Sequence, residues 1–473
     1  MVFSSITFLL YFFPVFLGTY YLSPKKIKNY VVLLFSIFFY AWGGPKFIFI
    51  LLASVYVNFL LVKKLDKSEK RNTKRLMVGL SVAINIGLLA YFKYANFFIE
   101  NFNAVLHHFG FQSIEWTNVA LPIGISFYTF QTLTYSVDVY RNVHKPLKKV
   151  SDYALYIIMF PQLIAGPIVR YNFIADQIVD RKAGYNDRLA GFYRFTIGLA
   201  KKVIIANAMG AKADAILSLD YTGLSSTTAW IGILAYTFQI YFDFSGYSDM
   251  AIGIGKMIGF KFPENFNNPY VSKSITEFWR RWHITLGDWM KNYLYIPLGG
   301  NRVKTKRRLY FNLWFVFLLS GLWHGAAWNF IIWGAFHGTF LIIERLFLSK
   351  WLQKAGNAVS IIYTFFVTVM GWVIFRIEDW KAAMVFYKKL FAFKFEPLQW
   401  TDNESFFTIL IIAAFFSFFV LLPRGQKIQN SIFFGDYTKN KLLAMFFVSL
   451  ILFVISISYI TTTGFNPFIY FRF

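Results

Sequence analysis

Apolar stretches of bilayer-spanning length, roughly 17 to 25 residues, recur along this chain from one end to the other. No soluble domain, linker or low-complexity stretch separates them. A chain built this way reads as a polytopic membrane protein with an all-α fold, because one helix of that length crosses the hydrocarbon layer. Composition agrees. Of 473 residues, 57% are hydrophobic and 15% charged, against about 25% charged in a soluble domain. The 59 phenylalanines exceed what one soluble core can bury.

The formal net charge is +25, from 48 Lys and Arg against 23 Asp and Glu. These cations fall in short clusters between apolar runs, as the positive-inside rule requires of cytoplasmic loops. No soluble basic domain exists to hold nucleic acid, so that partner class is excluded. There is no cysteine, which rules out disulfides, thiolate zinc sites, a cysteine nucleophile and a lipidated cysteine anchor.

The first apolar run, Ile6 to Tyr21, lacks a basic leader and a small-x-small cleavage site, and Lys25, Lys26 and Lys28 follow it. It is expected to be a retained span with its N-terminus outside. Tyr30–Tyr40 and Phe47–Val62 form a hairpin with Trp42-Gly43-Gly44-Pro45 at its outer tip. A fourth span covers Leu76 to Phe98, with an external loop from Glu100 to Trp116, and a fifth runs from Val119 to Tyr140. From Ser151 to Gly300 the apolar runs are interrupted by Pro161, Gly166-Pro167, Pro263, Pro269 and Pro297. Broken backbone at membrane depth must be buried in protein or line a cavity, so re-entrant segments and a funnel are expected there. Spans resume near Phe311–Ser320, Trp328–Ile343, Ile361–Phe375, Phe406–Leu422 and Leu442–Ile460. The total is about eleven, give or take roughly two, in a single membrane domain over residues 1–473, and no internal repeat is visible.

Two histidines stand out against this background. His283 closes Phe278-Trp279-Arg280-Arg281-Trp282-His283, and His324 lies in Gly321-Leu322-Trp323-His324-Gly325. An ionisable ring at membrane depth is costly and therefore a functional candidate, and imidazole titrates near neutrality, which suits proton transfer. On a helix, Trp279, Trp282, His283 and Leu286 share one face. Arg280 and Arg281 suit either a functional site or an interfacial helix with snorkelling arginines. Small neighbours, Gly325, Ala326 and Ala327, let a ligand or backbone approach His324. His337 reads as a functional group or a packing partner.

Asp243 and Asp249, in Tyr241-Phe242-Asp243-Phe244-Ser245-Gly246-Tyr247-Ser248-Asp249, are carboxylates in an apolar run and each needs a partner. They could orient a catalytic histidine or pair helix to helix. Gly253, Gly255 and Gly259 read as helix-packing glycines. Ser245 lacks the G-x-S-x-G elbow of a serine nucleophile, and no Walker loop is present. A metal held by His283 and His324 lacks a third ligand at recognisable spacing, so no metal is expected.

The chain resembles the membrane-bound O-acyltransferase family, specifically its bacterial alginate-acetyltransferase-like branch. The resemblance runs through Met1–Ser5, Tyr91–Tyr94, Leu121–Phe127, Asp138–Arg141, Phe160–Pro167, Tyr241–Asp249, Phe278–Arg302 and Gly321–Gly325. It implies a helical bundle with a central tunnel, in which His324 matches the catalytic histidine and His283 the second active-site histidine. Trp279, Arg280, Arg281, Trp282, Trp289, Trp323, Asp243, Ser245 and Asp249 would support the tunnel. The related teichoic-acid D-alanyl transferases share the Arg-Trp-His and Trp-His-Gly elements, but Tyr293–Arg302 follows the polysaccharide-acetylating branch. The implied activity is transfer of an acyl group, acetyl in this branch, from a cytosolic thioester to an extracytoplasmic hydroxyl. The donor would be acetyl-CoA or an acyl carrier protein, with no permanently bound cofactor. Membrane lipids and an extracytoplasmic esterase-like partner are implied, in a bacterial cytoplasmic membrane. A D-alanyl or other acyl transfer, or a non-catalytic export carrier, is the alternative.

Overall fold

The computed structural model describes residues 1–164, 166–397, 403–435, 437–463 and 468. Ala165, within the Phe160–Pro167 motif, lies outside them. The described residues are helical with no strand. They form two compact units, one of Met1, Thr7–Gly184 and Ile258–Phe262, the other of Val2–Ile6, Tyr185–Met257 and Pro263–Phe473.

In the first unit, Thr7–Phe12 and Phe13–Leu22 make the first apolar helix. It stops where Ser23 precedes Pro24 and turns extended, as residues before proline prefer. Lys28–Gly43 and Phe47–Lys67 meet at Gly44, giving the expected hairpin. Polar side chains join the helices inside this unit. Asn58 Oδ1 accepts from Ser81 at 2.6 Å and from Asn85 at 2.8 Å, and Ser81 Oγ lies 2.6 Å from Ser136 Oγ. Hydrogen bonds of this kind help hold helices together where water is absent.

The fourth span differs from expectation. Its helix runs on as Arg71–His108, through a π turn at Ala90–Tyr94, so the loop expected from Glu100 is helical to His108. Asn96 Oδ1 then accepts the amide of Val119 at 2.9 Å and the indole N–H of Trp116 at 3.0 Å, which folds the following loop back along the helix. Asn96, within the expected span, and Asn103, within the expected loop, anchor it, Asn103 Oδ1 accepting the Ile114 amide at 2.8 Å.

In the second unit the Asp243–Asp249 run lies within unbroken helix. Ser226–Met257 is one helix of 32 residues. Beside it, Tyr185–Ala200 continues through a π turn at Lys201–Ala206 into Asn207–Leu217. The carboxylates do not interrupt the helix because its neighbour neutralises them: Lys202 Nζ lies 2.9 Å from Asp243, and Asp249 takes Lys201 at 2.7 Å and Arg194 at 2.6 Å. Glycines allow this approach. A Cβ on Gly198 would lie 2.5 Å from the Gly246 carbonyl oxygen, and one on Gly191 would lie 2.7 Å from that of Gly253. The register is antiparallel. Gly259 has a different task from the packing role expected of it: at φ +88° it takes the left-handed turn after the helix end, a conformation glycine adopts at least cost. The irregular backbone falls, as expected, around Pro263, Pro269 and Pro297, and also at Trp282-His283.

Judged by length and hydropathy alone, five described helices can cross a membrane. Ser405–Leu421 with Gly425–Phe433, bent by 98°, makes a sixth. The remaining apolar helices are shorter, interrupted by π turns or studded with paired charges.

Candidate active site

The site lies within the second unit and is built on two helix ends. Lys306–His324 terminates at His324, where Gly325 turns extended. The following helix, Trp328–Ile343, packs back against it through glycines. A Cβ on Gly321 would run into the Phe330 carbonyl oxygen, and one on Gly334 into that of Phe317. This close packing fixes His324 against three rings. Its centroid is 5.0 Å from Trp323, 5.2 Å from Trp333 and 5.4 Å from Phe375, all edge-to-face.

His283 is reached differently. Ile275–Arg281 begins at Ser274, whose hydroxyl accepts the Glu277 amide at 3.0 Å. Glu344 adds a carboxylate that accepts the amides of Ile275 and Thr276 at 2.5 and 3.0 Å. This satisfies the exposed donors at the helix start. The helix then breaks. Trp282 is extended and His283 is left-handed at φ +46°, ψ +53°, before Ile284–Trp289 resumes. The single helical face expected for Trp279, Trp282, His283 and Leu286 therefore does not exist. The cause lies in the 265–267 loop: the Asn267 amide donates to the Arg281 carbonyl, and Ile284 donates to the Asn265 carbonyl, both at 2.9 Å. These two bonds hold the turn that carries the imidazole.

Asn265 also fixes the state of that imidazole. Its Oδ1 accepts from Thr285 Oγ1 at 2.9 Å and the Thr285 amide at 3.3 Å, while its Nδ2 donates to Ser248 Oγ at 3.0 Å. Oδ1 is therefore the acceptor facing His283 Nδ1 at 3.0 Å, and Nδ1 carries the proton. In the neutral ring the lone pair is then on Nε2, which is buried without a partner. Asn265, not Asp243 or Asp249, orients His283; of the two roles open to those carboxylates, helix-to-helix pairing is the one seen. Those carboxylates instead hold Lys202, and Lys201 with Arg194. Asn265 was legible only as part of the Asn-Phe-Asn-Asn-Pro run, where nothing in spacing singles it out.

Trp323 joins the two histidines, its ring 6.1 Å from His283 and 5.0 Å from His324. Trp282 approaches through Phe266, 5.1 Å from it in an edge-to-face contact, and Phe266 lies nearly parallel to the His283 ring at 6.5 Å. Trp279 instead joins the His324 side, 5.3 Å from Trp333. Arg281 pairs with Glu277 at 2.8 Å, Arg280 is exposed, and Trp289 packs on Tyr293 at 5.5 Å. Among the described residues no group of three or more histidine or carboxylate side chains could hold a metal.

A cavity of about 1130 Å³ adjoins the site, with mostly apolar walls. Ser245, Asp249, Arg194 and Lys201 are among its polar lining residues, and it reaches Phe266 and Ile284, neighbours of His283. Neither imidazole is part of its lining. The Ser245 hydroxyl is buried and unpartnered.

Residues 85–378 match the family model for membrane-bound O-acyltransferases. The chain belongs to that family. This membrane-bound O-acyltransferase is thus a multi-pass membrane enzyme that transfers acyl groups. It is 39% identical to the probable alginate O-acetylase of Azotobacter vinelandii, with each chain covered in full. It is 45% identical to the probable alginate O-acetylase of Pseudomonas aeruginosa over 83% of this chain and 75% of that one. It is 39% identical to the peptidoglycan O-acetyltransferase of Helicobacter pylori, over 81% and 78% respectively.

Proposed function

We propose that the protein moves acetyl from a cytosolic thioester, acetyl-CoA or an acyl carrier protein, to an extracytoplasmic hydroxyl in the O-acetylation of a cell-envelope polysaccharide. The bacterial cytoplasmic membrane is its place, and an esterase-like partner on the outer face takes the acetyl group onward. The names of the relatives support the acetyl group and the polymer class. The observation that carries the chemistry is the pair of buried imidazoles flanking Trp323, at 6.1 and 5.0 Å.

His324 acts as general base. It takes the proton of the hydroxyl as the oxygen attacks the thioester carbonyl, and returns that proton to sulfur as the C–S bond breaks, leaving an ester and a free thiol. The imidazolium formed meanwhile sits among Trp323, Trp333 and Phe375, with ring centroids at 5.0, 5.2 and 5.4 Å; a ring that turns its face to the charge attracts it. His283 works from its Nε2 lone pair. In that tautomer it can accept a hydrogen bond from a hydroxyl or amide N–H of a substrate, but cannot protonate the leaving thiol. It therefore holds and aligns a substrate rather than acting as an acid. The adjoining cavity gives the substrate a water-poor approach, where such contacts gain strength and hydrolysis is suppressed.

The test uses the purified full-length protein with acetyl-CoA and a hydroxyl acceptor, reading release of free thiol. His324→Ala should cut the rate by about two orders of magnitude or more, the scale of a lost general base. Undiminished release in that variant would refute the base assignment.

A further inference from the structure

A third histidine takes no part in the transfer described above. His337 is fully buried in the Trp328–Ile343 helix, and neither of its ring nitrogens has a hydrogen-bond partner. Three rings close on it edge-to-face: Trp279 at 4.9 Å, Trp333 at 5.0 Å and Phe336 at 5.1 Å. The indole N–H groups of Trp279 and Trp333 are themselves buried and unpartnered. Since those two rings are 5.3 Å apart, four unsatisfied nitrogens share one small cluster. A glycine makes room for it. A Cβ on Gly371, in the Asn357–Arg376 helix, would lie 2.6 Å from His337 Nε2.

Packing alone does not account for this. A buried polar group without a partner loses its hydration for nothing, whereas an apolar side chain of similar shape would be neutral or stabilising. A glycine inside a helix also costs stability relative to alanine. Position 337 therefore carries an imidazole, and position 371 a glycine, against the local interest of the fold. Such conflicts between local rule and sequence are expected where function is served.

Trp333 links this cluster to the reaction. The same indole meets His324 at 5.2 Å and 85°, and His337 at 5.0 Å and 73°. We propose that His337 is a positioning residue that acts on His324 through Trp333. The edge-to-face contacts of its ring with Trp333 and Trp279 set the tilt of Trp333 against the catalytic imidazole. This rests on the reading of His324 as the base. The attraction of an aromatic ring for a cation depends on which part of the ring faces the charge. Turning Trp333 therefore changes the energy of His324 when it holds the proton, and changes the neutral, substrate-bound state little. An interaction made only in the transition state appears in kcat, with KM left in place.

The experiment compares His337→Leu, His337→Gln, Trp333→Phe and the double variant Trp333→Phe with His337→Leu, in the purified full-length protein. It reads kcat and KM for thiol release, and melting temperature. His337→Leu should lower kcat several-fold, the scale of one lost aromatic contact of about 0.5–1.5 kcal/mol, with KM unchanged and melting temperature equal or higher. His337→Gln, which keeps a planar polar group against Trp333, should recover most of the lost kcat. In the Trp333→Phe background the leucine substitution should have no further effect, because the residue it acts through is already altered. Wild-type kcat in His337→Leu, equal losses in Leu and Gln, or an undiminished leucine effect in Trp333→Phe would each overturn the proposal. Should the leucine variant fail to fold, His337→Met against His337→Gln makes the same comparison. Activity that survives His324→Ala overturns the base assignment and this proposal together; loss there with normal His337 variants overturns this proposal alone.

Discussion

Replacing Asn265 by alanine should disarm His283 without touching its ring. Four hydrogen bonds are lost: three accepted by Oδ1, from His283 Nδ1 at 3.0 Å and from Thr285 at 2.9 and 3.3 Å, and one donated to Ser248 at 3.0 Å. At about 0.5–1.5 kcal/mol each they bound the stability loss at about 2–6 kcal/mol. The lower half of that range is expected, because the Thr285 and Ser248 hydroxyls can rotate toward other acceptors. For the rate, only the His283 bond counts. It is worth about 1–1.5 kcal/mol, and each 1.4 kcal/mol is a tenfold bias in the tautomer ratio. Releasing it lets the proton move to Nε2, where the ring can no longer accept from substrate. With the ratio falling from about ten to about one, the productive tautomer drops from nearly all of the ring to about half, so the expected loss in kcat/KM is about twofold. Thiol release by purified protein measures it. Asn265→Asp keeps an acceptor oxygen opposite Nδ1 and should retain more activity than alanine. In a His283→Ala background, Asn265→Ala should add nothing to the rate loss, since the residue it acts on is gone. A wild-type rate in Asn265→Ala, or rate losses that add with His283→Ala, would refute the tautomer argument.

Two other outcomes follow from the second unit. Asp243→Ala takes the carboxylate from the Lys202 ammonium, which is 3% exposed and keeps Asn207 Oδ1 at 2.8 Å; breaking a buried pair costs about 3–5 kcal/mol, so thermal unfolding in detergent should show a large drop in midpoint, largely recovered by Asp243→Leu combined with Lys202→Met. Ala200→Trp projects a large ring into the 1130 Å³ cavity; if substrate approaches through it, KM should rise several-fold with kcat little changed, and an unaltered KM would remove the cavity from the path.

Much of the fold was legible from apolar length alone, because a span is a local property of the chain. The hairpin at Gly43-Gly44-Pro45 and the late helices fall where hydropathy and turn residues place them. The neighbourhood of His324 is similarly local, since Gly321 to Gly325 and Trp323 are adjacent in sequence. His283 was harder. Its left-handed backbone is imposed by hydrogen bonds from Asn265 and Asn267, some eighteen and fourteen positions away from their partners, and a helical period drawn through it has no means of registering them. Asp243 and Asp249 were legible as needing partners, with helix-to-helix pairing one of two roles, but Lys202, Lys201 and Arg194 could not be named because pairing across helices leaves no periodic trace.

The glycine contacts between Tyr185–Ala200 and Ser226–Met257 have a consequence beyond packing. Gly191 meets Gly253 and Gly198 meets Gly246, seven residues apart on each helix. Arg194 and the two lysines that follow Gly198 reach their carboxylates because no side chain props this bare seam open. One added methyl group would wedge the helices apart and draw three cations off two anions at once. It would be felt in the cavity wall formed by Arg194, Lys201 and Asp249. The smallest residues in this helix pair thus govern its most strongly charged ones.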